Sequence, residues 1–113
     1  MMYNLGIFLI QKEFEREYDY SKGVLLRCLR ECDFKAIRFR LLETNRAIKE
    51  IKSSFMKEME SAIFLVEEGF LSKKESVQLM ERRLKIHKQD LYNELILLSV
   101  DLITVPRDEV IVN

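Results

Sequence analysis

The stretch Leu65-Val66-Glu67-Glu68-Gly69-Phe70-Leu71-Ser72-Lys73-Lys74-Glu75 decides the fold, because it writes a helix stop and a helix start back to back. Gly69 can take the left-handed conformation that closes a helix, and Phe70 beyond it is placed to touch Leu65. Ser72 with Glu75 three residues later forms a capping box, in which hydroxyl and carboxylate each satisfy an orphan N–H of the next helix's first turn. About three residues separate the two elements, and a connection that short sets consecutive helices antiparallel and in contact. The expectation is an αα-hairpin of residues 34 to 69 and 72 to 104.

Working outward, Phe34, Ile37, Leu41, Thr44, Ile48, Ile51, Phe55, Met59, Ala62 and Val66 recur at helical spacing before the turn. Val77, Met80, Leu84, His87, Leu91, Leu95, Leu98 and Leu102 do so after it. Pro106 ends the second helix, since the residue before a proline resists the α conformation. The run Ile37-Arg38-Phe39-Arg40-Leu41 also alternates as a strand would, but its flanks are helical and a lone strand has nothing to pair with. Towards the N-terminus, Tyr3, Ile7, Ile10, Phe14 and Tyr18 make one stripe, predicting a helix over residues 3 to 18. Asp19, Ser21 and Gly23 read as an interruption, followed by a short apolar segment from Val24 to Cys32. The apolar phase changes at Asp33, where a bend or break is expected, with Asp33 a candidate cap for the helix that follows.

Composition agrees with this all-α reading. Among 113 residues there are three Gly and one Pro, with 48% apolar and 34% charged residues, which leaves little material for turns and suits long amphipathic helices. One domain over residues 1 to 105 and a tail over 106 to 113 are expected, the tail carrying Val110, Ile111 and Val112. The uncharged stretch from Met1 to Gln11 is too short to span a bilayer and lacks the basic start and cleavage site of a signal peptide, so no membrane association and an intracellular location are expected. Cys28 and Cys32, four apart, share one helix face in a poor geometry for a mutual disulfide.

A hairpin of two helices about 50 Å long carries more apolar surface than its own seam can bury. A first helix of about 24 Å covers roughly half of it. A three- or four-helix bundle completed by self-association, at least to a dimer, follows from exposed patches of that extent. The apolar residues left over after the seam are Phe39, Leu42, Phe64, Leu79, Ile86, Leu97 and Val100, and these are the candidate partner-binding residues. The function they suggest is non-catalytic: a small adaptor, chaperone or regulator binding its own copy or another protein.

The formal charge is zero, yet residues 27 to 57 hold nine Lys/Arg against four Asp/Glu. Arg27, Arg30, Arg38, Arg40 and Arg46, with Arg82 and Arg83 brought alongside by the hairpin, form a possible phosphate-binding stripe, which makes a nucleic-acid-associated regulator the alternative. The turn itself does not fit a DNA-reading helix-turn-helix, because the position six after the glycine is Glu75 where that motif needs an apolar residue. Catalytic and metal chemistry find little purchase. His87, the single histidine, lies on the apolar stripe, and position 84 is Leu where a di-iron bundle needs Glu. There is no Gly-rich phosphate loop, nucleophile elbow or zinc motif. No cofactor and no enzymatic activity are expected. The segment Glu-Gly-apolar-apolar-Ser followed by Leu-Met-Glu-Arg-Arg-Leu resembles the short helical hairpin that ends many bacterial proteins and is associated with oligomerisation. The likeness covers residues 60 to 86, lies mid-chain, and brings no function with it.

Overall fold

The computed structural model describes residues 2 to 31 and 35 to 104. Among them the chain forms three helices, α1 (Met2–Glu31), α2 (Lys35–Glu67) and α3 (Lys73–Thr104). They pack into an all-α bundle about 60 Å long and 19 Å across. α2 runs opposite to the other two, and each helix contacts both of its neighbours.

The turn is built as its residues dictate. Gly69 has φ +81°, its N–H bonds to the Val66 carbonyl at 3.1 Å, and the Phe70 N–H bonds to the Leu65 carbonyl at 2.8 Å. That pair of bonds is a Schellman closure. The Phe70 ring, 76% exposed, contributes little burial, so backbone bonds hold this end of α2. On the other side the Ser72 N–H donates to Glu75 Oε1 and the Glu75 N–H donates to Ser72 Oγ, both at 3.0 Å, completing the capping box.

The core runs the length of the bundle along the three seams. Phe14 of α1 stacks on Phe55 of α2 with ring centroids 4.2 Å apart, and the His87 ring of α3 meets both edge-on. Nearer the turn, the Ser76 hydroxyl of α3 donates to the Ala62 carbonyl of α2 and accepts from Tyr3 of α1 at 3.1 Å, joining all three helices. Ile48, Leu41, Leu91 and Leu98 fill the far half.

One expectation needs correction. The first helix does not stop at residue 18 but continues unbroken to Glu31. Phe14, Tyr18, Ser21 and Leu25 keep one buried seam through the supposed interruption, and the Ser21 hydroxyl returns to the Glu17 carbonyl at 3.0 Å, a bond that fits inside a helix. At 30 residues α1 is about 45 Å long, so it covers most of the hairpin instead of half of it. Within one chain α1 therefore covers more of the hairpin's apolar surface than a helix ending at residue 18 would. Residues 37 to 41, which also alternate as a strand would, are helical. Asp33 as a cap, Cys32 and the tail from residue 105 lie outside the described residues.

Gly23 and Gly69 separate the two kinds of glycine. A methyl group on Gly23 meets nothing within 4 Å in mid-helix, whereas Gly69 needs positive φ. Gly23→Ala should stabilise the fold by about 0.5–1 kcal/mol, by removing the entropy penalty of helical glycine. Gly69→Ala should destabilise it by about 1–2 kcal/mol. Thermal unfolding of the two variants, followed by circular dichroism, checks both, and loss of stability in Gly23→Ala would contradict a continuous α1.

Candidate interaction surface

With three helices packed, two features outside the apolar seams carry chemistry: a polar cluster where α2 meets α3, and the surface of the groove beside it. The cluster centres on Glu58. Arg83 reaches it with two parallel hydrogen bonds, Nη2 to Oε1 at 2.7 Å and Nε to Oε2 at 3.0 Å. His87 Nε2 lies 2.5 Å from the same Oε2. Burial pushes the Glu58 carboxyl up, but the hydrogen bonds from Arg83 and His87 and the neighbouring positive charge outweigh it, holding the group below its ordinary value of 4.5. An ionised carboxylate only accepts, so His87 donates from Nε2. The histidine is 4% exposed and its buried Nδ1 makes no hydrogen bond; the nearest charge to it is Asp90 Oδ2 at 3.9 Å. The cluster fastens α2 to α3 with every carboxylate oxygen engaged. Among the described residues no three of His, Cys, Asp and Glu come together as a metal site needs.

The groove runs outside this cluster. Leu79, Ile86 and Val100 of α3 fall seven or fourteen residues apart, hence on one side of the helix, and Leu97 lies three before Val100. On α2, Ala47, Ser54 and Ser61 also recur every seven residues, and Ser54 and Ser61 line the groove together with Lys57, Glu58 and Leu65. Between Ser54, Ser61 and Leu65 on one side and Leu79 and Arg83 on the other lies a trough of about 380 Å³ with Ala62 and Met80 on its floor. Across its far part Arg40 donates to Asp101 at 2.8 Å.

Six of the seven apolar residues expected from the sequence are exposed; Leu79 is half-buried against the core. They do not form a single patch. Leu79, Ile86, Leu97 and Val100 share the α3 side of the groove, Phe39 and Leu42 lie near the start of α2, and Phe64 lies at its other end by the turn. Exposed apolar residues of α1, among them Met2, Leu5, Phe8 and Leu9, and Tyr92 of α3 were not anticipated. The signal that could have found those of α1 is a second apolar phase, Leu5, Phe8 and Leu9, beside the buried stripe of Ile7 and Ile10.

The basic residues divide differently. Arg83 is held by Glu58, and Arg40 by Asp101 and Glu43, with Asp101 the main cause of its raised pKa. Arg82 turns instead to the groove between α1 and α3. Arg27, Arg30, Arg38 and Arg46 are exposed towards the far end. The Glu58 and Arg40 levels on α2 are 18 residues, or about 27 Å, apart.

Glu13, Glu58 and Glu75 all have folded pKa values lowered from 4.5, by Lys88 for Glu13 and by the Ser72 cap for Glu75, with Glu58 as described. Folding therefore favours their ionised forms. That stabilisation is complete above pH 4.5 and is lost as pH falls through the lower folded values. Chemical denaturation should show constant stability from pH 7 to about 5 and a steep fall below 4.5, with a smaller acid-dependent fall in Glu58→Gln. Phe55→Ala, which empties the centre of the aromatic stack, should cost about 3–5 kcal/mol at any pH in that range.

Compared with known protein families, curated proteins and solved structures, the chain gives no match.

Proposed function

We propose that the protein is a non-catalytic interaction module, a small adaptor, chaperone or regulator, that works through apolar helix faces and oligomerisation. The observation that carries this reading is the surface of α3. Beyond its buried seam, Ile86, Leu97 and Val100 face outward on one side and Tyr92, Ile96 and Ile103 on another, all exposed. From Leu91 to Ile103 the helix is apolar on more sides than its seam uses, and a helix stretch of that kind is one built to be covered. α1 and α2 cover one side of it.

The groove between α2 and α3 suits an amphipathic helix of another protein. The small residues Ser54 and Ser61 permit close backbone approach, while Leu79, Ile86 and Leu97 offer anchors at the spacing a docking helix reads. The Glu58–Arg83 pair at its edge supplies polar selectivity without itself titrating at neutral pH. No described helix is long and apolar enough to cross a membrane.

Light scattering at increasing concentration tests the oligomeric part: the mass should rise above the 13.5 kDa of one chain. A constant 13.5 kDa into the hundreds of micromolar would remove self-association from the reading. For the groove, Ile86→Glu with Leu97→Glu, both at exposed positions, should leave the circular dichroism spectrum intact and release a partner that the native protein holds in affinity capture. Retention of every partner by that double variant would move the binding site elsewhere.

A further inference from the structure

The face shared by α1 and α3 has a different pattern from the groove. Its α1 edge is fixed by two contacts: a methyl on Gly6 would sit 3.4 Å from Val77 of α3, and Glu13 receives a 2.7 Å hydrogen bond from Lys88 of α3. Met2, Leu9 and Tyr20 stand four before Gly6, three after it and seven after Glu13, so they run along that same edge, and all three are exposed. The α3 edge is fixed by Lys88. Tyr92 follows it by four, and Ile96 and Ile103 follow Arg82, which lines the same groove, by fourteen and twenty-one; they too are exposed, Ile103 by 82%.

The face is therefore zoned along its length. Met2 and Leu9 make an apolar zone by the turn; Tyr20, Tyr92, Ile96 and Ile103 make a second at the far end. Between them lies a groove of about 660 Å³ lined by charges of both signs, Glu13, Glu81, Arg82, Lys85 and Lys88. We infer that this face is the interface between two copies of the chain, related by a twofold axis parallel to the bundle. The inference rests on the proposal that the protein acts through association, and it says where and with what.

Three observations favour a second copy as the occupant. The six apolar side chains offer roughly 500 Å² of apolar surface. An interface of standard size takes about 800 Å² from each partner, a little over half of it apolar. A net charge of zero places no long-range repulsion between copies. Finally, the pattern is self-complementary in one orientation. A twofold axis along the bundle sets α1 of each copy against α3 of the other at the same level, so Glu13 meets Lys88 of the second copy and Tyr20 meets its Tyr92. An antiparallel pair would set Glu13 against Glu13 and Lys88 against Lys88, a like-charge contact at the centre of the interface.

Sedimentation equilibrium on the full chain tests this. The native protein should dimerise. Tyr20→Glu with Tyr92→Glu should weaken the dimer at least about thirtyfold, while Phe39→Glu and Phe64→Glu, at exposed positions of α2, should leave it unchanged. Lys88→Glu should weaken it, and adding Glu13→Lys should restore it, because the exchanged charges again meet as opposites. A native monomer overturns this inference together with the oligomeric part of the proposed function. A dimer that ignores the tyrosine variants but falls apart with Phe39→Glu or Phe64→Glu overturns this inference alone. A dimer sensitive to the tyrosines but indifferent to Lys88→Glu overturns the parallel arrangement. Circular dichroism on each variant separates a lost interface from a lost fold.

Discussion

The constraint on which the rest depends is the register set by the reversal at Gly69. Once α2 closes on the Leu65 and Val66 carbonyls and α3 opens on Ser72, there is one way for the two helices to lie together. Ala62 then stands opposite Ser76, Glu58 opposite Arg83, and Arg40 opposite Asp101. The last two pairs are 18 residues apart on each helix, so the register set at the turn is still in force about 27 Å away. A slip of one residue would separate both ion pairs and turn Phe55 away from Phe14. The turn's backbone bonds are individually small, yet they decide which side chains can meet.

Within that register the polar cluster has a particular cost and use. A part-buried ion pair gives little net stability over an apolar pair of the same shape, because desolvation offsets much of the attraction. What Glu58 gains from Arg83 and His87 is a fixed position: two forked bonds from one side and one from the ring nitrogen of another residue leave it a single arrangement. The His87 ring is held in turn by the edges it presents to Phe14 and Phe55. The stack between α1 and α2 and the ion pair between α2 and α3 therefore share one residue, which couples the packing of all three helices at mid-length.

The parts of this fold that are written locally were legible in the sequence. Gly69, Ser72 and Glu75 named the turn and its cap chemistry, and the seam of α3, His87 included, was visible from its spacing. What was not legible depends on partners far away in the chain. Asp19, Ser21 and Gly23 carry local signals for a loop, but Tyr18, Ser21 and Leu25 continue a buried stripe, and tertiary packing overrides the local preference. Glu58 looked like any solvated helix acid, since nothing within ten residues of it shows that Arg83 and His87 will arrive. For the candidate surface, Leu79, Ile86, Leu97 and Val100 could be found by subtracting the seam from the apolar set. The place of Ser54 and Ser61 in the groove could not, because small residues every seven positions have meaning only when something large stands across from them. Tyr20 was hidden by the misplaced end of the first helix, while Met2 and Leu9 lie off the buried stripe by which that helix is recognised.

The lengthening of α1 weakens one reason for expecting association and strengthens another. If α1 had been short, exposed apolar surface would have been a matter of missing cover, and almost any neighbour could have supplied it. With α1 running 30 residues, the three-helix core is complete along the described bundle, and its inner seams are filled without help. The apolar residues still outside are therefore surplus to folding. On α3 they are arranged by face: Leu97 and Ile86 towards the α2 side, Tyr92, Ile96 and Ile103 towards the α1 side. Under the proposed function, surface that folding does not require, and that costs solubility to display, is the surface that binds. On that proposal, its division into two faces on one helix offers two contacts, which one chain can make at the same time.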